Sequence, residues 1–283
     1  MHELDGISSG QQTKSLAVST IAFTICFAVW TIFSIIGIKI KQNLGLSDTQ
    51  FGLLVATPIL TGSLSRIFLG IWTDQYGGRI VYFCLMITTA IATWLLSTVS
   101  TYEMYLVAAL GVGLAGGSFA VGIAYVSRWY DSAHQGTALG IFGMGNVGAA
   151  VTNFGAPFLL VAYGWENVAK IYSVVLFTMA IVFWFTTEED PATKARKERG
   201  EKAKPALMQL EPLKHLRVWR FATYYFFVFG AYVALALWLP RYYMGVYGLE
   251  IQTAGMLAAA YALPEVYLEL WVGGCQIKLV PEK

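Results

Sequence analysis

Charge is scarce in this 283-residue chain: Asp, Glu, Lys and Arg make up 13% of it, against about 25% in a soluble domain. Cysteine is scarce too. Cys26, Cys84 and Cys275 have no paired spacing, and the first two lie in apolar stretches, which excludes a disulfide framework and a thiolate metal site. Three histidines are too few for a metal cluster. The polar start MHELDGISSGQQTKS lacks the apolar core of a cleavable signal peptide, so the first hydrophobic helix is expected to direct insertion itself. No nucleophile–base pair or phosphate-cradling loop stands out, which argues against an enzyme, a cofactor and a nucleic-acid partner.

What is abundant is apolar: 57% of the residues are hydrophobic. Runs long enough to cross about 30 Å of hydrocarbon are expected at 16–38, 51–73, 80–99, 104–126, 136–162 and 170–185. A seventh follows at 221–243, and an eighth begins near Thr253. Between the sixth and seventh lies TTEEDPATKARKERGEKAKPALMQLEPLKHLRVWR, a charge-rich, helix-permissive linker. The reading is an all-α polytopic membrane protein. It comprises a six-helix bundle over 1–187, a linker over 188–218 and part of a second bundle over 219–283.

Loop charge sets the orientation. Lys14, Arg79, Arg128 and the linker bases Lys194, Arg196, Lys197, Arg199, Lys202 and Lys204 share one side; Lys39, Lys41, Lys170 and Arg241 share the other. The richer side is expected in the cytoplasm, with the protein in the plasma (inner) membrane. The cluster KARKERGEKAK can also attract anionic headgroups, although an inter-half linker suffices to explain it.

Arg66 is the outlier. It stands within the second apolar run, in TPILTGSLSRIFLGIWTDQYGGR, with nothing nearby in sequence to neutralise it. A guanidinium stays charged, and at bilayer depth it costs about 2.5–3.5 kcal/mol on insertion scales. Its simplest partner is a small anion that comes and goes. The acids Glu103 and Glu166 lie at span edges, so proton coupling through a mid-membrane carboxylate has no support in these helices.

Small residues crowd the fourth and fifth runs, GVGLAGGSFAVG and GTALGIFGMGNVGAAVTNFGAP. Gly113, Gly116, Gly117, Gly143, Gly145 and Gly148 are read as helix-packing positions, where glycine lets backbones approach. Asn146, an amide at mid-helix among them, is either interhelical glue or a ligand contact.

Six helices, a basic linker and further helices resemble the Major Facilitator Superfamily. The loop Gly70-Ile-Trp-Thr-Asp74-Gln-Tyr-Gly77-Gly78-Arg79 is similar to that superfamily's G-x-L-x-D-x-x-G-R-R signature, with Gly78 in place of the first Arg. The resemblance implies a gating, conformational role for Asp74, Gly77 and Arg79. A finer resemblance is to the nitrate/nitrite porter family. Its fifth-helix G-x-G-N-x-G run is matched by Gly143-Met-Gly145-Asn146-Val147-Gly148, its fourth-helix step by Gly117-Ser118-Phe119-Ala120, and its seventh-helix Y-x-x-x-F-G by Tyr225 through Phe229-Gly230. It implies Arg66 as charge partner of a flat anion, Phe119 as stacking wall, and Asn146 and Tyr225 as polar positioners, with Phe229 beside them. The implied activity is nitrate–nitrite exchange or nitrate uptake for assimilation, by a monomer if full length. A carrier of another small anion such as a carboxylate, or a non-transporting membrane subunit, are the other readings.

The resemblance implies twelve helices, whereas PEVYLELWVGGCQIKLVPEK, interrupted by Glu265 and Glu269, does not read as a membrane helix. Codons read from the third base after Pro264 permit GSLSRALGGWLSDK, one variable residue and GARK. That string parallels GSLSRIFLGIWTDQYGGR of the second helix, as expected of repeated halves. The expectation is a frame change after Pro264. It removes a second arginine, at the Leu268–Glu269 junction, and leaves a truncated, inactive or impaired porter.

Overall fold

The computed structural model describes residues 8–201, 203 and 205–279. Lys202 and Lys204 of the basic linker, and residues 280–283, lie outside it. So do the side chains of Glu265, Glu269 and Cys275, and with them the reading of the tail.

Among the described residues, seven helices are long and apolar enough to cross a membrane. They are α1 (Ser9–Leu44), α2 (Asp48–Tyr76), α3 (Gly78–Leu96), α4 (Tyr102–Ser127), α5 (Gln135–Tyr163), α6 (Trp165–Thr186) and, beyond the linker helix α7 (Pro191–Glu198), α8 (Leu216–Tyr247). A ninth helix, α9, runs Ile251–Leu279. All of these spans but α3 are longer than their apolar runs; α3, 19 residues long, ends at Leu96, three residues before the expected end. Polar capping groups extend the ends: Ser8 and Ser47 each accept from the backbone N–H of Gln11 and Gln50, whose side chains reach back to the caps. Helix α9, the eighth apolar run of the sequence, begins two residues earlier than expected, and its backbone stays helical through Pro264.

Neighbouring spans pack in pairs, α3 on α6, α2 on α4 and α1 on α5, while α9 lies along α5 and α8 along α9. The core is lined by aromatic residues of α1, with Phe23, Phe27, Trp30 and Phe33 all buried. Three glycine contacts show why bulk is absent where helices cross. A Cβ on Gly148 would lie 2.2 Å from the Thr24 carbonyl oxygen, one on Gly113 2.7 Å from that of Pro58, and one on Gly145 2.2 Å from the Phe23 ring.

Spans α4 and α5 share a further feature. Leu114–Gly117 and Met144–Val147 wind as 3₁₀ turns inside otherwise α-helical spans. Such turns inside a helix often mark functional positions, and these two carry the glycine runs singled out in the sequence.

Candidate functional site

Arg66 projects from the middle of α2 and is half-buried. Its Nε–H donates to the Gly116 carbonyl, 3.1 Å away, in the 3₁₀ turn of α4. One Nη lies 3.5 Å from the Tyr225 hydroxyl of α8. The guanidinium carbon stands 5.3 Å from the ring centre of Phe229, 5.6 Å from Phe119 and 5.9 Å from Trp30. These are cation–π distances. Among the described residues no carboxylate pairs with it. Its charge is thus met, among the described residues, by ring faces, one carbonyl and one hydroxyl.

The rings are ordered. Phe119 lies nearly parallel to Phe229, centroids 6.3 Å apart and planes 17° off, and to Tyr225, at 6.2 Å and 18°. Tyr225 and Phe229, one turn apart on α8, stack at 4.9 Å and 14°. The sequence named these four residues on three different helices, and the fold brings them together. Arg66, Tyr225 and Phe229 line one groove of about 640 Å³ between α2 and α8, with Ser63 and Trp30.

Asn146 occupies a different layer. It is buried at the 3₁₀ turn of α5, where its backbone carbonyl accepts from the Tyr232 hydroxyl at 3.2 Å. Tyr232 in turn faces the Phe229 ring at 6.3 Å. Asn146 backs the aromatic wall and does not line the groove. Gly143 is buried at the α-helical side of the same turn, and Gly117 packs under Leu69 of α2.

Trp30 is the residue that sequence reasoning missed. Its indole N–H donates to the Pro58 carbonyl at 2.9 Å. The ring is wedged so closely that a Cβ on Gly62 or Gly116 would meet it at 2.7 and 2.6 Å. Trp30 therefore spaces α2 from α4 and floors the guanidinium. Its position in a long apolar run gave no signal.

The signature loop ties helix ends through separate partners for its acid and its base. Gly77, at φ +99°, turns the chain between α2 and α3, a conformation suited to glycine. Asp74 pairs with Arg128 at the end of α4, while Arg79 stacks on Trp184 of α6 at 4.3 Å and donates to its carbonyl. Arg128 also reaches Asp190, 3.4 Å away and fully buried, which caps α7 through the Thr193 N–H. Arg196 of α7 returns to the carbonyls of Asp74 and Gln75. The linker helix is thereby fastened to the same loop. Among the described residues no group of three or more His, Cys, Asp or Glu could hold a metal ion.

Comparison with known proteins agrees with this architecture. Residues 18–273 match the Major Facilitator Superfamily. The chain is 44% identical over 273 residues to a probable nitrate/nitrite antiporter NarK1 of Thermus thermophilus, covering 92% of this chain and 60% of the relative. It is 32% identical to a probable nitrate/nitrite transporter NarK2 of Mycobacterium tuberculosis, covering 93% and 66%. It is 26% identical to a nitrite extrusion protein of Bacillus subtilis, covering 89% and 62%. The chain thus spans roughly three fifths to two thirds of these relatives' lengths. A crystal structure of a bacterial homologue of the human lysosomal transporter Spinster superposes with a TM-score of 0.72 at 21% identity, covering 92% of this chain and 61% of that one. With its spans, its signature loop and its match over most of its length, the chain belongs to the Major Facilitator Superfamily.

Proposed function

We propose that the chain forms part of a carrier of nitrate or nitrite across the plasma (inner) membrane, with the N-terminus and linker on the cytoplasmic side and Arg66 as the charge partner of the anion. The observation that carries this is the Arg66 guanidinium, without a carboxylate partner among the described residues, in the wall of a membrane-depth groove and flanked by parallel rings. A flat anion between Phe119 and Phe229 needs contacts of about 3.5 Å to each face, more than the 6.3 Å between the ring centroids provides, so the rings have to part to admit it. A guanidinium offers paired N–H donors in the plane such an anion presents. The Tyr225 hydroxyl, beside an Nη, supplies a further polar contact, and Asn146 sets the depth of the ring wall through Tyr232. The names of the relatives, which include an antiporter, transporters and an extrusion protein, support nitrate and nitrite as the anions and leave either direction of transport open.

The test uses the purified chain in lipid nanodiscs. A ligand that binds only the folded state raises the unfolding temperature by an amount that grows with the logarithm of its concentration above Kd, so nitrate is expected to raise Tm. Arg66→Lys, which replaces a fork by a point charge, loses at least one charge-assisted bond of about 1.5–3 kcal/mol and requires at least about tenfold more nitrate. No effect of nitrate or nitrite on the wild type, or an unaltered response in Arg66→Lys, overturns the proposal. Stronger stabilisation by a larger carboxylate than by nitrate moves the chain to another anion class.

A further inference from the structure

At the end of the bundle away from the linker, α1, α2 and α8 converge on a second set of charges. Lys41, from the last turn of α1, and Arg241, from α8, both pair with the single carboxylate of Asp48 at the start of α2. Both cations lie over the ring of Phe51, Arg241 at 4.5 Å and Lys41 at 5.7 Å. Arg241 also stands 5.9 Å from Trp238. The three partners differ in exposure: the Lys41 and Arg241 side chains are 26% and 28% exposed, Asp48 78%.

Position gives this cluster its interest. Trp238 and Val55 line the far end of the groove that holds Arg66, and Phe51 packs edge-on against Trp238 at 5.7 Å. Asp48 and Arg241 lie three residues, about one helical turn, beyond Phe51 and Trp238. On the other side of the charges is a separate cavity of about 510 Å³ lined by Ile38, Lys41, Gln42, Arg241 and Met244. Arg241 therefore borders the outer cavity with its charge and covers the end wall of the inner groove with its face.

We propose that Lys41 and Arg241 form an outer binding site for small planar oxyanions, with the Asp48 carboxylate as a tethered competitor that occupies it in this structure. The assignment of nitrate-like anions to the site rests on the reading of the Arg66 groove given above. A carboxylate and a nitrate present the same flat edge of two oxygens, so one can exchange for the other against the Arg241 fork. The cations are held against rings and stay in place. Asp48 is largely in water, where an ion pair is worth little, so it is the partner that yields. Exchange also breaks the Asp48–Arg241 tie between α2 and α8, the two helices that enclose the groove. Arrival of an anion and loosening of the groove's outer end become one event.

Two tryptophans report the two sites separately. Trp238 lies beside Arg241 and Trp30 beside Arg66, each at 5.9 Å. The chain is labelled with fluorotryptophan, placed in nanodiscs and titrated with nitrate, with ionic strength held by sulfate. Of the nine tryptophan signals, those of Trp238 and Trp30 are identified with Trp238→Phe and Trp30→Phe. Nitrate is expected to shift the Trp238 signal saturably. Arg241→Gln is expected to abolish that shift. Asp48→Asn, which removes the competitor, is expected to tighten the Trp238 response about twofold to fivefold, the worth of an exposed pair. A Trp238 signal silent in both the wild type and Asp48→Asn overturns the proposal, as does a shift that survives Arg241→Gln or that sulfate reproduces. A silent Trp30 with a responsive Trp238 removes the inner-groove reading and leaves the outer site standing.

Discussion

The carboxylate of Asp74 is held by Arg128 from the end of the fourth span, while Arg79, five residues along the same loop, turns away to the ring and carbonyl of Trp184. One loop thus fastens two pairs of helices, α2 to α4 through the acid and α3 to α6 through the base. Arg128 carries a second duty, since the buried Asp190 also depends on it.

Replacement of Arg128 by Gln strands that buried carboxylate, and breaking a buried pair costs about 3–5 kcal/mol. The 3.4 Å separation favours the lower end, about 3 kcal/mol. Lys197→Gln breaks a more exposed pair with Glu189, which is worth about 0–1 kcal/mol. Thermal unfolding in nanodiscs is expected to show a large drop for the first and almost none for the second. Equal drops would mean that Asp190 finds another partner.

Glycine contacts on α5 give a paired contrast. Gly148→Ala places a methyl group 2.2 Å from the Thr24 carbonyl. Because that neighbour is backbone, the helices must separate, at a cost of about 1–3 kcal/mol. Gly155, on the same helix, has nothing within 4 Å of its would-be Cβ, and Gly155→Ala is expected to leave Tm unchanged or slightly raised. A stable Gly148→Ala protein would show that α1 and α5 are less closely apposed.

Trp30→Phe keeps a ring beneath Arg66 but removes the N–H that serves the Pro58 carbonyl. The loss of that buried bond costs about 1–3 kcal/mol. If Trp30 also floors the anion site, nitrate stabilisation weakens severalfold in the same variant. Tyr225→Phe, at an exposed position on α8, is expected to leave stability within about 0.5 kcal/mol of wild type while weakening the nitrate response. Unchanged nitrate responses in both variants would confine the two residues to packing.

The ease with which parts of this structure could be read from sequence follows from how local each signal is. Spans declare themselves by apolar length, and only their ends, fixed by caps such as Ser47 with Gln50, fell outside the apolar runs. Arg66 stood out because a lone charge in such a run has no cheap explanation. Its companions Phe119, Tyr225 and Phe229 came from resemblance, since an aromatic residue in an apolar helix is unremarkable by itself. Trp30 was invisible for that reason. The pairing of Asp74 with Arg128, 54 positions away, and the meeting of Lys41, Asp48 and Arg241 depend on how helix ends converge, which no local pattern encodes. The tail beyond Pro264 shows a different limit: composition speaks to whether a segment suits a membrane, not to whether its backbone is helical, as it is to Leu279.

The bond from the Arg66 Nε–H to the Gly116 carbonyl has a consequence for how an ion could leave. It pins the arginine to α4, and Trp30 of α1 pins it from below, so the positive charge travels with the first bundle. Tyr225 and Phe229 belong to α8 and travel with whatever α8 follows. In the carrier proposed above, separation of α8 from the first six spans would leave the fixed charge where it is and carry two of its walls away. An anion held there would be released by losing its shelter, with its counter-charge still in place.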